Sequence, residues 1–548
     1  MSPIRYYHTL KHLKPVQIFG RLRYRLMIPR PNLAPSPPVR TKNADWMEPA
    51  RRRASLQGPT RCCFLDEEHD IGLPTAWNDP VREKLWLYNL HYFDDLNALD
   101  ADQRTGWQRT LIGRWVHENP PTKGVGWEAY PASLRIVNWI KWGLAGNVLD
   151  STWLDSLAVQ ARWLAGRLEL HLLGNHLFTN AKALVFAGLF FDGTEASAWL
   201  EKGMAILREE IPEQILSDGG HFERSTLYHA LVLEDLLDLF NLAEAYHASI
   251  PPGFRDVNAL YTDTIRRMRV WLAALCHPDG ELSFFNDAAI GIAPAVNELE
   301  SYAIRLGLGP SSAPQEACAH FGDSGYIRVD LGDKGVALLD VAPIGPDYLP
   351  GHAHADTLSF EMSVFGQRVV VNSGISRYGL SPERLRQRGT AAHNTVTIDG
   401  LDSSEVWGGF RVARRAKPFG LRIWGDGRAL RILCAHDGYR RLKGKPVHWR
   451  EWRFEKGLVE VVDNLEGGFR EAVSRLHFHP DIALSHQPES GMGHAVLPTG
   501  QQLHWQVEGA DSWLAESAYF PEFGIAIANQ CLEMRLTSSR CAVRLHWV

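Results

Sequence analysis

The stretch YLPGHAHADTLSFEM, residues 348–362, places His352, His354 and Asp356 at every second position and continues in the same register with Leu358 and Phe360. Read as a β-strand, it gives one face that starts polar and ends in a hydrophobic interior. Two imidazoles spaced in this way can hold a metal ion, and either can accept a proton near neutral pH. A lone histidine is usually structural; two with a carboxylate in one register argue for a site.

Other stretches carry polar groups that could join it. In SDGGHFERSTLYHALVLED, Asp218, Gly219 and Gly220 make a turn, and Glu223, Ser225, Tyr228 and His229 fall in the first turns of a helix, where Asp or Ser would also serve as the cap. LLGNHLFTN sets Asn175 and His176 just before another helix, with Asn again a good cap. RGTAAHNTVTIDG puts His393 and Asn394 at the entry to a strand, where His393 can meet His354 across a sheet. Arg377, Arg384, Arg386, Arg388, Arg411, Arg414, Arg415 and Lys417 are dense enough to form an anion-binding patch in an otherwise acidic chain. Trp86, Tyr88, Tyr92, Trp127 and Tyr130 sit beside polar groups, as aromatics do where they stack on sugar faces, although core packing explains them equally.

These residues need elements to hold them. From about 80 to 310 the apolar residues recur at three or four, as in GNHLFTNAKALVFAGLFF, and helix follows helix with short Gly, Pro and Asp connections. After GPSSAPQEACAHFGDSG the runs become short and alternating, which predicts antiparallel strands packed as two sheets. The expected division is an N-terminal extension over 1–80 packing on the helices, a helical domain over 81–315 and an antiparallel sheet domain over 316–548.

A length of 548 residues suits two or three domains, and 45% hydrophobic with 22% charged residues describes a globular chain. The formal charge of −5 offers no basic field for nucleic acid. Seven scattered cysteines without CxxC spacing read as reduced thiols. The charge-broken N-terminus lacks a secretory leader, and no segment approaches a membrane span, so the expected location is the cytoplasm with no membrane partner.

Taken in order, WLYNLHYFD, GWEAYPASLRIVNW, GNHLFTNAKALVFAG, DGGHFERSTLYH, GHAHADTLSFEM, NSGISRYG and AHNTVTIDG resemble the heparinase II/III family of polysaccharide lyases. The resemblance implies an α+β multidomain chain: an N-terminal (α/α) toroid, an incomplete barrel, followed by a C-terminal antiparallel β-sandwich. It also implies β-elimination at the uronic acids of an anionic polysaccharide such as hyaluronan, chondroitin sulfate or heparan sulfate. Abstracting the C5 proton of a uronate requires that the adjacent carboxylate be neutralised while a base takes the proton and an acid protonates the leaving O4. By resemblance Asn175 neutralises, and Tyr228 and His352 are acid and base in either order. A phenolic base would need cations nearby, for which the arginine patch is the source. The implied substrate contacts are His176, Trp127, Arg135, Glu223, His229, Arg384 and Arg388. A structural divalent metal, zinc or manganese, would be held by His354, His393 and Asn372, the last standing where relatives place a carboxylate. No organic cofactor is implied, and the oligomeric state is left open. Competing readings are an alginate or bacterial exopolysaccharide lyase, a metal-dependent glycan hydrolase with its ion on His352, His354 and Asp356, and a carbohydrate-binding protein without catalysis.

Overall fold

The computed structural model describes residues 3–332, 334–426 and 429–547. Two short helices, Pro3–Leu10 and Pro15–Leu26, and a three-stranded sheet over Leu56–Gly58, Arg61–Phe64 and Glu67–Asp70 come first. Helices then run from Lys84–Tyr92 to Val296–Arg305, and strands take over from Cys318–Phe321 to Arg540–Trp547.

The helix Gly174–Phe190 is buried on every side along nearly its whole length, as its all-round apolar sequence requires. It crosses the following helix, Thr194–Gln214, so closely that a Cβ on Gly188 would stand 2.5 Å from the Leu200 backbone nitrogen, and one on Gly203 would stand 2.7 Å from the Ala181 carbonyl oxygen. Only glycine fits at such a crossing. The axis of the helix is thereby fixed, and with it the direction in which its first turn presents Asn175 and His176.

The strands form antiparallel sheets of five, four and eight strands. Gln502–Glu508 alternates exposed and buried residues without a break, the signature of a sheet with one solvated face. Phe360, Ile398, Trp452, Trp505, Leu532 and Leu545, from all three sheets, belong to one core. A separate cluster joins the halves: Trp271 and Ala274 of the helix Val257–Ala274 pack on Phe321, Tyr326 and Leu338.

GHAHAD is not a strand. The strand begins only at Phe360, and 351–358 is irregular, with Leu358 at φ 67°. Its backbone groups are taken by other partners: His354 N–H donates to Asn286 Oδ1 (2.9 Å), the Ala353 carbonyl accepts from Arg388 Nε (3.0 Å), and Ala355 N–H donates to the Arg388 carbonyl (2.9 Å). With no ladder to join, the segment bends instead of pleating. Among the described residues no helix is long and apolar enough to cross a membrane, and the seven cysteines are free.

Candidate active site

One cavity of about 1640 Å³ lies between the two halves, and Asn175, His176, Glu223, Tyr228 and His352 all line it. Each is placed by a local device. Leu173 and Gly174 both have positive φ, 63° and 54°, and this tight entry starts the helix at Gly174, so Asn175 and His176 lie in its first turn rather than before it as a cap. Asn175 has no hydrogen-bond partner among the described residues and is free to donate its amide. His176 Nδ1 lies 3.1 Å from Glu169 Oε2. Burial would raise the Glu169 carboxyl, but His176 and Asn180 hold it below its ordinary value. The carboxylate can only accept, so Nδ1 carries the hydrogen of this contact. Ser225 caps the helix Thr226–Ala245 by accepting from Tyr228 N–H (3.1 Å), which sets Tyr228 in the first turn; Glu223 sits in the turn ahead of it.

The centre of the site is a residue absent from the sequence-derived candidates. Asp287 is fully buried and accepts from His352 Nδ1 (2.8 Å), His354 Nε2 (2.7 Å) and both terminal nitrogens of Arg384 (Nη2 to Oδ2, 2.6 Å). Burial would raise its carboxyl, but the Arg384 guanidinium and the two imidazoles hold it well below the usual carboxylate range. An ionised Asp287 fixes the hydrogen of His352 on Nδ1 and leaves the Nε2 lone pair available as a base. Burial, partly offset by Asp287, lowers the His352 pKa, so the imidazole is neutral near pH 7. The signal that could have found Asp287 is its setting: LSFFNDAAIG is an apolar run with one carboxylate, and a carboxylate buried there must be paired.

Tyr228 lies with its ring centroid 3.8 Å from that of His352, and its hydroxyl is 3.0 Å from the Tyr378 hydroxyl. Burial, then Tyr378, Tyr130 and Asp287, push the phenol well above its ordinary pKa. The expected cationic neighbourhood is missing around the phenol because most of the arginine patch is spent on structure. Arg384 is consumed by Asp287, and Arg388 donates to the Ala353 and Gly409 carbonyls. Arg386 pairs with Glu383, Arg414 with Glu405, Arg415 with Asp347 and Arg377 with Glu83. Arg384 and Arg388 therefore position the GHAHAD segment and do not reach the cavity.

Three other expected substrate contacts are also corrected. Arg135 is buried, donates to Gln160 Oε1 (2.8 Å), the Gly126 carbonyl (2.8 Å) and the His91 carbonyl (3.2 Å), and lies over the Trp115 ring. Trp127 is core and donates to the Asn119 carbonyl. His229 stacks on Trp271 with Nε2 2.9 Å from the Met268 carbonyl. All three face inward because helical residues three or four apart share a face, and sequence alone does not say which face is wet. Of the aromatics, Tyr88, Tyr92 and Tyr130 line the cavity, whereas Trp86 is core.

Glu223 has the opposite character. It is buried, neither carboxyl oxygen has a hydrogen-bond partner among the described residues, and Oε2 lies 3.9 Å from His352 Nε2. Burial, with Asp287 adding to it, pushes the carboxyl from an ordinary 4.5 up to about 8. The fold then keeps a proton that the unfolded chain releases, so this contribution to stability is complete below about pH 4.3 and is lost as pH rises towards 8. Melting curves should show the wild-type protein losing stability between about pH 5 and 8 relative to Glu223→Gln, by up to a few kcal/mol. Parallel curves would mean that Glu223 ionises freely in the folded protein.

A group able to hold a cation lies behind His352. Ligand atoms of His354, Asp356 and His393 lie within 4.8 Å of one another. His354 gives its Nε2 hydrogen to Asp287, and His393 Nδ1 is 2.8 Å from the Gly389 carbonyl, so two lone pairs face each other where His354 Nδ1 meets His393 Nε2 at 3.0 Å. Such a contact is favourable only with a proton or a metal ion between the rings, and the donor set fits zinc or manganese. Asn372, the expected third ligand, is committed elsewhere, its amide oxygen accepting from the Asn394 backbone (3.2 Å) and side chain (3.3 Å); Asp356 would supply the carboxylate instead. His352 is outside the group because its Nδ1 is turned to Asp287, which removes the His352–His354–Asp356 triad of the hydrolase reading.

A family model described as Heparinase II/III N-terminus matches residues 113–304, and one described as Heparinase II/III-like, C-terminal matches 313–547. A heparin-sulfate lyase of Bacteroides stercoris is 27% identical over 56% of this chain and 45% of its own length, and one of Bacteroides thetaiotaomicron is 26% identical over 64% and 55%. The chain thus spans about half the length of the curated relatives it matches. The solved structure of a heparinase III has the same fold, with a TM-score of 0.67 at 20% identity over 84% of this chain and 77% of that one.

Proposed function

Because the chain belongs to the heparinase II/III-like family, we propose that it is a polysaccharide lyase that cleaves uronate-containing glycosaminoglycans by β-elimination. The observation that carries this reading is the convergence of Asn175, Tyr228 and His352 on one cavity, with His352 Nδ1 tethered to Asp287. The fold is read as an incomplete (α/α) toroid followed by a β-sandwich, with the substrate chain lying between them.

The resting protonation states support one division of the roles. Asn175 and the protonated Glu223 donate hydrogen bonds to the uronate carboxylate, which makes the C5 proton removable. His352 Nε2 takes that proton, and Asp287 stabilises the imidazolium that results. The C4–O4 bond breaks as the C4–C5 double bond forms, and the Tyr228 hydroxyl protonates the leaving O4. The proton on His352 then returns to the Tyr228 phenolate beside it. A divalent metal held by His354, Asp356 and His393 would stiffen the segment that carries His352 and supply no step of the elimination.

Heparan sulfate is the first substrate to test, since the curated relatives are heparin-sulfate lyases. Ultraviolet absorbance of unsaturated uronate should grow with heparan sulfate in a panel that also holds chondroitin sulfate, hyaluronan and alginate. Growth on alginate alone would move the substrate class, and no growth on any of the four would contradict the lyase reading.

A further inference from the structure

Residues 1–112 precede the family match, and the two helices that open the chain lie across the cavity and tie its walls together. On the helical side Lys14 Nζ pairs with Glu213 (2.8 Å), and Arg167 donates to the Tyr24 and Met27 carbonyls. On the sheet side Trp407 Nε1 donates to Thr9 Oγ1 (3.1 Å) and Gln17 Nε2 to the Tyr348 carbonyl (3.2 Å). Gln17, Ile18, Arg21, Leu22 and Arg25 of the helix Pro15–Leu26 line the cavity.

A polyanion entering this space must find cations that are not already neutralised. The arginine-rich run of the sheet half provides little, since Arg377, Arg384, Arg386, Arg388, Arg414 and Arg415 are all committed to carboxylates or carbonyls. Among the described residues that line the cavity, the other lysines and arginines are ion-paired, from the buried Lys182 on Asp235 and Asp238 to the exposed Arg377 on Glu83. Arg21, Arg25 and Arg411 are the exceptions: no carboxylate faces them, and Arg411 lies over the Trp407 ring, 4.8 Å from its centroid. Residues 1–44 hold nine lysines and arginines and no aspartate or glutamate, so nothing on this arm competes for an incoming anion.

We propose that Arg21, Arg25 and Arg411 form an anion subsite for a carboxylate or sulfate of the sugar chain beyond the unit being cleaved, and that the N-terminal helices are a wall of the substrate cleft. Guanidinium groups suit both anions through paired N–H donors. The proposal rests on the polysaccharide reading above for the identity of its ligand.

Binding tests it without turnover. In full-length protein carrying Tyr228→Phe, calorimetry would measure the affinity for a heparin-derived hexasaccharide and for an unsulfated hyaluronan hexasaccharide. Adding Arg21→Gln, Arg25→Gln and Arg411→Gln should weaken binding at least about ten-fold and flatten its dependence on salt. Loss confined to the sulfated sugar assigns the subsite to sulfate; loss with both assigns it to the uronate carboxylate. Arg23→Gln, exposed on the same helix and off the cavity, removes one positive charge from the same arm and should leave both affinities unchanged. Unchanged binding in the triple variant overturns the subsite alone, as does an equal loss with Arg23→Gln. A parent that binds neither sugar overturns the polysaccharide reading, and the subsite with it.

Discussion

Tyr228→Phe is expected to lower kcat by about 1,000-fold while leaving KM and the melting midpoint nearly unchanged. The change removes one hydroxyl, whose protein partner is the Tyr378 hydroxyl at 3.0 Å, so the folded state loses about 1 kcal/mol at most. The proposed elimination loses its acid. The phenol is held protonated by burial and by its neighbours, so it enters the reaction as a proton donor, and phenylalanine offers nothing to the leaving O4. Steady-state rates on whichever polymer the absorbance panel identifies, together with a thermal melt, check both halves of the claim. A variant that keeps a tenth or more of wild-type kcat would remove Tyr228 from the chemistry.

Asp287→Asn should be costly in two ways that can be separated. It leaves the Arg384 guanidinium buried without its counter-ion, which costs about 3–5 kcal/mol, and it removes the acceptor that sets the His352 tautomer, which should lower kcat by at least about 100-fold. Adding Arg384→Met to the same protein takes away the stranded charge, and stability should largely return. Turnover should not return with it, because His352 still lacks the carboxylate that orients it. Denaturant unfolding and kinetics on both variants decide this. Activity recovering in step with stability would show that Asp287 acts through the fold alone.

Much of this site was legible because chemistry-bearing residues were spaced in ways the core does not need. His352, Tyr228, Asn175, His176 and Glu223 were all named from the sequence, and all five line the cavity. The change from helical to alternating period marks the place where helices give way to strands. What stayed hidden depends on contacts between distant segments. Asp287 becomes the hub only because the loop after one helix meets the segment before a strand, more than sixty residues later. GHAHAD imitates a strand in its spacing, yet Arg388 and Asn286 take the hydrogen bonds that a ladder would use. The arginine run misled for a related reason. Charge density reads the same whether guanidinium groups point to solvent or clamp backbone carbonyls, and here Arg384 and Arg388 do the second. Two of the three unpaired cations, Arg21 and Arg25, came instead from an N-terminal arm read from sequence only as an extension packing on the helices.

The central claim, that this cavity breaks the sugar chain by elimination, is tested most directly by where oxygen from water goes. Products made from the polymer in water enriched in oxygen-18 would be examined by mass spectrometry. Elimination adds no water across the broken bond, so the account predicts fragments free of the label, with the new non-reducing end one water lighter than a hydrolytic product and carrying the ultraviolet absorbance. Fragments that carry one labelled oxygen per cut and no absorbance would contradict it.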